Sequence, residues 1–258
     1  MTWLLRTAVT TAVLILVWNL VVLLSAAPPY ILPGPARVAA AWWQHAGLIL
    51  SQAGVTLLEI LLGLLIGTCL GCLAALIVGS SRLLGRWLMP MLVVSQAVPV
   101  FAIAPLLVLW LGYGIASKVA MATLIIFFPV SAAFLDGLRR TEPGWLDLAR
   151  TMTAGRPHPQ LAELRHVRIP AALPALASGL RIAAATAPIG AVVGEWVGSS
   201  AGLGYLMLHA NARLQTDLMF AALLTLAVMA VTLYFGVDRG LRALLPWQSE
   251  TLPGERRK

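Results

Sequence analysis

The chain carries six stretches of about 20 residues that are almost free of charge, each long enough to cross the hydrocarbon core of a bilayer as a helix. In lipid a backbone N–H or C=O finds no water, so a spanning segment must satisfy its hydrogen bonds internally and become an α-helix. Composition follows the same constraint. Of the 258 residues 60% are hydrophobic and 11% charged, and the mean hydropathy is +0.88, whereas soluble globular domains carry about 25% charged residues. The expected fold is an all-α integral membrane protein of about six transmembrane helices, one transmembrane domain over residues 1–258. Little is left over for a separate soluble domain, so everything outside the bilayer is loop or tail.

The spans are expected at about Thr7–Ala26, Val55–Gly79, Leu88–Leu111, Lys118–Leu138, Ala175–Val197 and Leu218–Val237. The first reads as a retained span, since no small-residue cleavage site precedes a soluble domain. The third is interrupted by Pro90, Pro99 and Pro105. Between the first two, after the breaker-rich Pro28–Pro35, an amphipathic stretch with Trp42, Trp43 and His45 belongs at a membrane interface, where tryptophan settles. Gly63, Gly67 and Gly71 repeat on one face of the second span and predict close helix contact. Cys69 and Cys72 have redox-motif spacing, but lie in an apolar helix with no basic neighbour and read as inert. His45, His158, His166 and His209 are too dispersed for a metal site.

Orientation follows from the basic residues. With the amino terminus inside, Arg6, Arg82, Arg86, Arg139, Arg140, Arg150, Arg156, Arg165, Arg168, Arg239, Arg242, Arg256, Arg257 and Lys258 all fall on the cytoplasmic side, against Arg37, Lys118 and Arg213 outside. Excess Lys and Arg on cytoplasmic loops sets topology, so both termini and the long polar segment Thr141–Pro174 are expected in the cytoplasm of a cell inner-membrane protein. The formal net charge of +8 is read as topological; the basic residues are scattered among apolar runs without the stacking aromatics of a nucleic-acid binder.

Within that segment Trp145, Leu148 and Met152 have helical apolar spacing, between Gly144 and Gly155, and a second short helix is expected over Gln160–Val167, stopped by Pro170. Two short helices joined by a bend can form a docking knob for a partner; an ordinary inter-span loop with interfacial helices is the competing reading. Intramembrane charge is a functional signal by default, and Glu59 and Glu195 carry it, each expected near the outer end of its helix. Glu59 reads as an interfacial carboxylate. Glu195 either lines a pathway or holds the following Gly-rich turn by accepting backbone hydrogen bonds. Gln96 either bonds a polar solute or joins helices.

These residues carry a resemblance. Asp147-Leu148-Ala149, the bend at Gly155 and the closing Arg168-Ile169-Pro170 resemble the coupling loop of binding-protein-dependent ABC importer permeases. Asp147 stands where that family has Glu, Thr153 occupies the expected Gly position, and Gly155–Pro159 resembles a short insertion. Pro33-Gly34-Pro35, Gln96-Ala97-Val98-Pro99, Pro105-Leu106, Phe127-Phe128-Pro129 and Gly194–Tyr205 are similar to the nitrate, sulfonate and taurine branch. Gly194–Met207, Asn211, Gln215-Thr216-Asp217 and Leu245-Pro246-Trp247 are most similar to permeases for hydroxymethylpyrimidine, a thiamine precursor. Sulfonate, taurine, nitrate and riboflavin-like solutes are the alternatives.

The resemblance implies a type I importer permease fold and an alternating-access pathway. It also implies a homodimer with a second permease copy, a cytoplasmic ATPase dimer carrying ATP and Mg, and a periplasmic or extracellular solute-binding protein. It assigns ATPase coupling to Trp145, Leu146, Asp147, Leu148, Ala149, Thr153, Gly155, Ile169 and Pro170, and a solute pathway to Gln96, Pro99, Glu195, Trp196, Gly202, Gly204 and Tyr205. No Gly-x-x-x-x-Gly-Lys-Ser/Thr loop occurs in the chain, so nucleotide is expected on a partner, and no cofactor, metal or catalytic group is expected here. An ion-coupled secondary transporter is the alternative class, but the midplane relay groups and inverted repeats common in such proteins are not evident.

Overall fold

A computed structural model describes residues 2–80, 85–87, 90, 94, 98–155 and 157–248. Its helices are α1 (Thr2–Ser25), α2 (Pro35–Gln44), α3 (Ala46–Ser80), α4 (Val100–Leu111), α5 (Ile115–Arg139), α6 (Pro143–Thr153), α7 (Pro159–Glu163), α8 (Ile169–Gly198), α9 (Leu203–Ala212) and α10 (Thr216–Leu244). A π-helical turn, Leu164–Arg168, joins α7 to α8. Among the described residues five helices are long and apolar enough to cross a membrane, namely α1, α3, α5, the α7–α8 run and α10. Within the expected third span the continuous described helix is α4, 12 residues, too short to cross alone; much of 88–97, Gln96 included, lies outside the described residues.

At the centre α5 packs between α3 and α8, and small residues set the distance. The Gly63, Gly67 and Gly71 face of α3 lies on Ala122, Ile126 and Val130 of α5; a Cβ at Gly67 would come within 2.7 Å of Ile126 Cγ2. On the other side of α5, a Cβ at Gly190 of α8 would approach the Ala122 Cα to 2.7 Å, and one at Gly179 would meet the Pro129 carbonyl oxygen at 2.7 Å. In a bilayer apolar burial alone does not drive helices together, so such backbone approach is a principal source of cohesion. The expected close packing of the Gly63–Gly71 repeat is thus present, and its partner is α5.

Polar ties join the ends. Arg37 of α2 pairs with Asp217 of α10 at 2.9 Å, and Trp42 donates its indole N–H to Thr225 Oγ1 at 3.0 Å. Twenty-one positions along α10, Asp238 accepts from Arg181 Nε at 2.6 Å and from Arg242 Nε at 2.9 Å. By contrast α1 exposes apolar side chains around its circumference, touching the rest through α2 and the stacking of Trp18 on Phe220.

Several boundaries depart from expectation. Helix α3 starts at Ala46 rather than Val55, because the polar residues Ser51 and Gln52 lie within a continuing helix. The second loop helix ends at Glu163, and Pro170 does not stop the chain. Proline is tolerated in the first turn of a helix, and the wider π-turn before it keeps the run continuous, with the Ile169 N–H bonded to the Leu164 carbonyl.

Candidate functional site

Two places combine exposed or charged chemistry with defined geometry. The first is the loop running from α6 to the start of α8. Helix α6 buries Ala149 and Thr153 and leaves Trp145, Leu148 and Met152 at 53%, 60% and 70% exposure. An amphipathic helix normally turns its apolar stripe inward; here large apolar side chains point away from the chain. They form one wall of a groove of about 460 Å³, completed by His166, Pro170 and Trp247. Leu146 is half-buried, and Asp147 is exposed beside Arg150, 3.2 Å away.

Thr153 ends α6 by donating its hydroxyl to the Ala149 carbonyl at 2.7 Å. The left-handed bend falls at Gly155, φ +87°, a conformation that costs a residue with a Cβ but not glycine. Threonine at 153 is therefore compatible with the bend, which is made two residues later. Beyond it, the buried Glu163 accepts from Arg168 Nε at 2.8 Å and lies 3.6 Å from Arg150 Nε, tying α6 to the π-turn. Ile169, half-buried, packs on the cluster of Ala75, Val78, Phe134, Leu135 and Leu138, while Pro170 is exposed.

The second place is the Gly-rich turn between α8 and α9. Glu195, near the end of α8, is 1% exposed. Its Oε1 accepts the Thr56 hydroxyl at 2.6 Å and its Oε2 accepts the Gly204 N–H. The Leu203 N–H donates to Thr56 Oγ1 at 2.8 Å, and the Gly202 N–H to Gln52 Oε1 at 2.5 Å. Three successive amides of a helix start, otherwise lacking partners, are thereby satisfied by α8 and α3. Gly202 has φ +114°, and a Cβ on it would fall on the Glu195 carboxyl. Of the two readings open for Glu195, lining a pathway or holding the turn, these bonds fit the second.

Of the other residues expected on a solute pathway, Trp196 is 46% exposed, Tyr205 is half-buried and packs against His209 with ring centroids 4.0 Å apart and planes tilted by 39°, and Gly202 and Gly204 are buried. Pro99, exposed at the start of α4, is not part of this cluster. Glu59 is a correction: rather than an interfacial carboxylate, it is fully buried with the Lys118 ammonium 3.2 Å from its Oε1. Lys118, in the first turn of α5, is 5% exposed. A sequence signal for this cluster exists. Gln52, Thr56 and Glu59 fall at i, i+4 and i+7, one polar stripe on an otherwise apolar helix.

Residues 67–250 match the family described as binding-protein-dependent transport system inner membrane component. The chain belongs to this family. The permease is 57% identical, over 91% of its length and 94% of the relative's, to a probable ABC transporter permease protein of Haemophilus influenzae. It is 38% identical to the riboflavin transport system permease protein RibX of Chloroflexus aurantiacus, over 93% and 89% of the two chains. It is 35% identical to the formylaminopyrimidine transport permease protein ThiX of Halalkalibacterium halodurans, over 86% and 88%. In three dimensions it resembles a chain of the MetNI methionine ABC transporter in an inward-facing conformation, with TM-score 0.66 and 19% identity over 78% of the permease and 98% of that chain. The fold is that of a type I ABC importer permease, and the chain is a multi-pass inner-membrane subunit of transport rather than an enzyme. Among the described residues no group of three or more His, Cys, Asp or Glu side chains could hold a metal ion.

Proposed function

We propose that the permease forms, with a second copy of itself, an alternating-access pathway driven by a cytoplasmic ATPase dimer that binds ATP and Mg and acts through α6. The exposed apolar face of α6 carries this reading: Trp145, Leu148 and Met152 project from a helix whose other face is anchored by Ala149 and Thr153. Such a face fits a groove on another protein. Asp147, Leu146 and the Gly155 bend shape the contact, and Ile169 and Pro170 pass its displacement into α8. Arginine distribution supports placing α6 and both termini in the cytoplasm. The opposite face then meets a solute-binding protein, and Pro99, Trp196 and Tyr205 border the pathway, with Glu195, Gly202 and Gly204 shaping its wall.

The solute favoured is a hydroxymethylpyrimidine-type thiamine precursor, supported by 35% identity to a formylaminopyrimidine transport permease. A riboflavin-like solute is the second reading, on 38% identity to a riboflavin transport permease. Both are flat nitrogen heterocycles. The test is uptake of labelled hydroxymethylpyrimidine and riboflavin into proteoliposomes holding permease, ATPase and receptor, with ATP inside. ATP-dependent uptake of the first and not the second is expected; uptake driven by an ion gradient without ATP would overturn the importer reading. In the same complex, Asp147→Arg with Gly155→Pro is expected to abolish receptor-stimulated ATP hydrolysis while leaving the protein inserted.

A further inference from the structure

The bonds of Glu195 to the turn leave the buried Glu59–Lys118 ion pair unexplained. Glu59, Lys118 and Glu195 come from α3, α5 and α8, the three helices of the central seam, and none exceeds 5% exposure. Glu59 follows Thr56 at i+3 on one face of α3, and Thr56 donates to Glu195 Oε1 at 2.6 Å, so the Glu59 and Glu195 carboxyl groups adjoin each other. Lys118 stands 3.2 Å from Glu59 Oε1, and its stem lies over Gly194, next to Glu195; a Cβ on Gly194 would be 3.0 Å from the Lys118 Cα and 3.3 Å from its Cβ. Thr56 and the Gly204 N–H satisfy Glu195, but neither Glu59 oxygen has a hydrogen-bond donor. A buried charge with one partner removed is strongly destabilising, so the Glu59 carboxylate, which adjoins Glu195, depends on the Lys118 ammonium beside it.

We propose that Lys118 is a positioning residue for transport: as the counter-ion of Glu59 it offsets the carboxylate that adjoins Glu195, and so keeps the Glu195 carboxylate in place to hold the 199–204 turn and the start of α9. This rests on the importer reading only for its consequence in transport; the electrostatic role stands on the cluster itself. With every group ionised the cluster's net charge is −1, since two carboxylates face one ammonium. Lys118→Met makes it −2, Glu59→Gln makes it 0, and the double substitution Glu59→Gln with Lys118→Met returns it to −1 while removing both members of the pair. A role in filling space alone predicts that the double variant is at least as damaged as either single one. A counter-ion role predicts recovery.

The turn is read by adding Ser200→Cys, an exposed position, to a Cys69→Ala, Cys72→Ala background, and measuring maleimide labelling of the full-length permease in nanodiscs. Lys118→Met is expected to accelerate labelling at least about tenfold, and Glu59→Gln and the double variant to remain within about threefold of the unsubstituted background. Labelling of Lys118→Met at the background rate, or of the double variant at the Lys118→Met rate, would overturn the proposal. If Lys118→Met is not recovered from membranes, recovery of the double variant with background labelling supports the counter-ion role and its loss overturns it. ATP hydrolysis by the same variants assembled with the partner ATPase is expected to follow the same order. A wild-type complex without receptor-stimulated hydrolysis would sink the importer reading, while the labelling order still decides the role of Lys118.

Discussion

Replacing Gly202 by alanine tests the hold on the turn directly. At φ +114° and ψ 165° the backbone lies in a region essentially confined to glycine, and forcing a residue with a Cβ there costs about 1–3 kcal/mol. The new Cβ also falls on the Glu195 carboxyl, so the carboxylate must swing away from Thr56 and the Gly204 amide. Each hydrogen bond to a charged group contributes about 1.5–3 kcal/mol. Taking the low end of each, strain plus two bonds come to about 4 kcal/mol, close to a thousandfold in the opening equilibrium of the turn. The assay is hydrogen–deuterium exchange followed by mass spectrometry on a peptide spanning 199–212, where the Leu203 and Gly204 amides are donors. Their protection is expected to drop by that order, while peptides from the α3–α5 seam stay unchanged. Gly34→Ala is the control, since φ is −73° and no atom lies within 4 Å of the added carbon. Exchange at 203 and 204 equal to wild type in Gly202→Ala would refute the cradle.

Three further outcomes follow from the packing and the loop. Gly67→Val places a Cβ 2.7 Å from Ile126 Cγ2, and overpacking of this kind costs about 1–3 kcal/mol; thermal unfolding in detergent should begin several degrees lower, and an unshifted midpoint would show that α3 can move away from α5 freely. Leu148→Asp with Met152→Asp changes only exposed side chains of α6, so membrane yield should be normal while co-purification of the ATPase falls at least about tenfold, hot-spot apolar residues each contributing about 2 kcal/mol or more; undiminished co-purification would remove α6 from the interface. Glu163→Gln loses the charged partner of Arg168 and Arg150, at about 1–3 kcal/mol. Its basal ATP hydrolysis should persist while receptor stimulation weakens, as pulse measurements on the reconstituted complex would reveal; equal loss of both would reduce Glu163 to a folding role.

What the sequence could express was governed by periodicity and average polarity. The five long spans, the amphipathic α2 and the α6 face emerge from local patterns that one helix contains by itself. The Gly63–Gly71 repeat predicted contact, but not with which helix, because the partner face on α5 is spelled Ala122, Ile126 and Val130 and carries no distinctive pattern. Glu59 was misplaced for a related reason. Alone it suggests an interface, where a charge is cheap, and only the fold brings Lys118 within 3.2 Å of it and makes burial tolerable. Starting the second span at Val55 also cut Gln52 from the polar stripe it shares with Thr56 and Glu59, so the stripe was not visible as a unit. Pro170 misled by its ordinary meaning as a helix stop, since a π-turn is a tertiary and register effect that residue type does not announce.

The length and anchoring of α8 make a mechanical argument. Its 30 residues extend about 45 Å at 1.5 Å per residue, from the loop that carries α6 to the turn that carries Gly202. Both extremities are clamped by a buried carboxylate: Glu163 ties Arg168, the residue before α8, to Arg150 on α6, and Glu195 ties the far end to Thr56 and the turn. Between them Pro174 and Pro188 lie inside the helix, where a missing N–H permits a kink. Pro188, however, is buried, and Ala183, Ala187 and Ala191 pack on α5 at zero exposure, so bending at Pro188 would open that seam. Tilting α8 with α5 as one body keeps the seam closed and moves the two clamps in opposite directions. A displacement of α6 therefore reaches the Gly-rich turn most cheaply as a lever rather than as a bend, and spin labels on α5 and α8 flanking Gly190 should hold a constant separation while the distance from either helix to α10 changes with nucleotide.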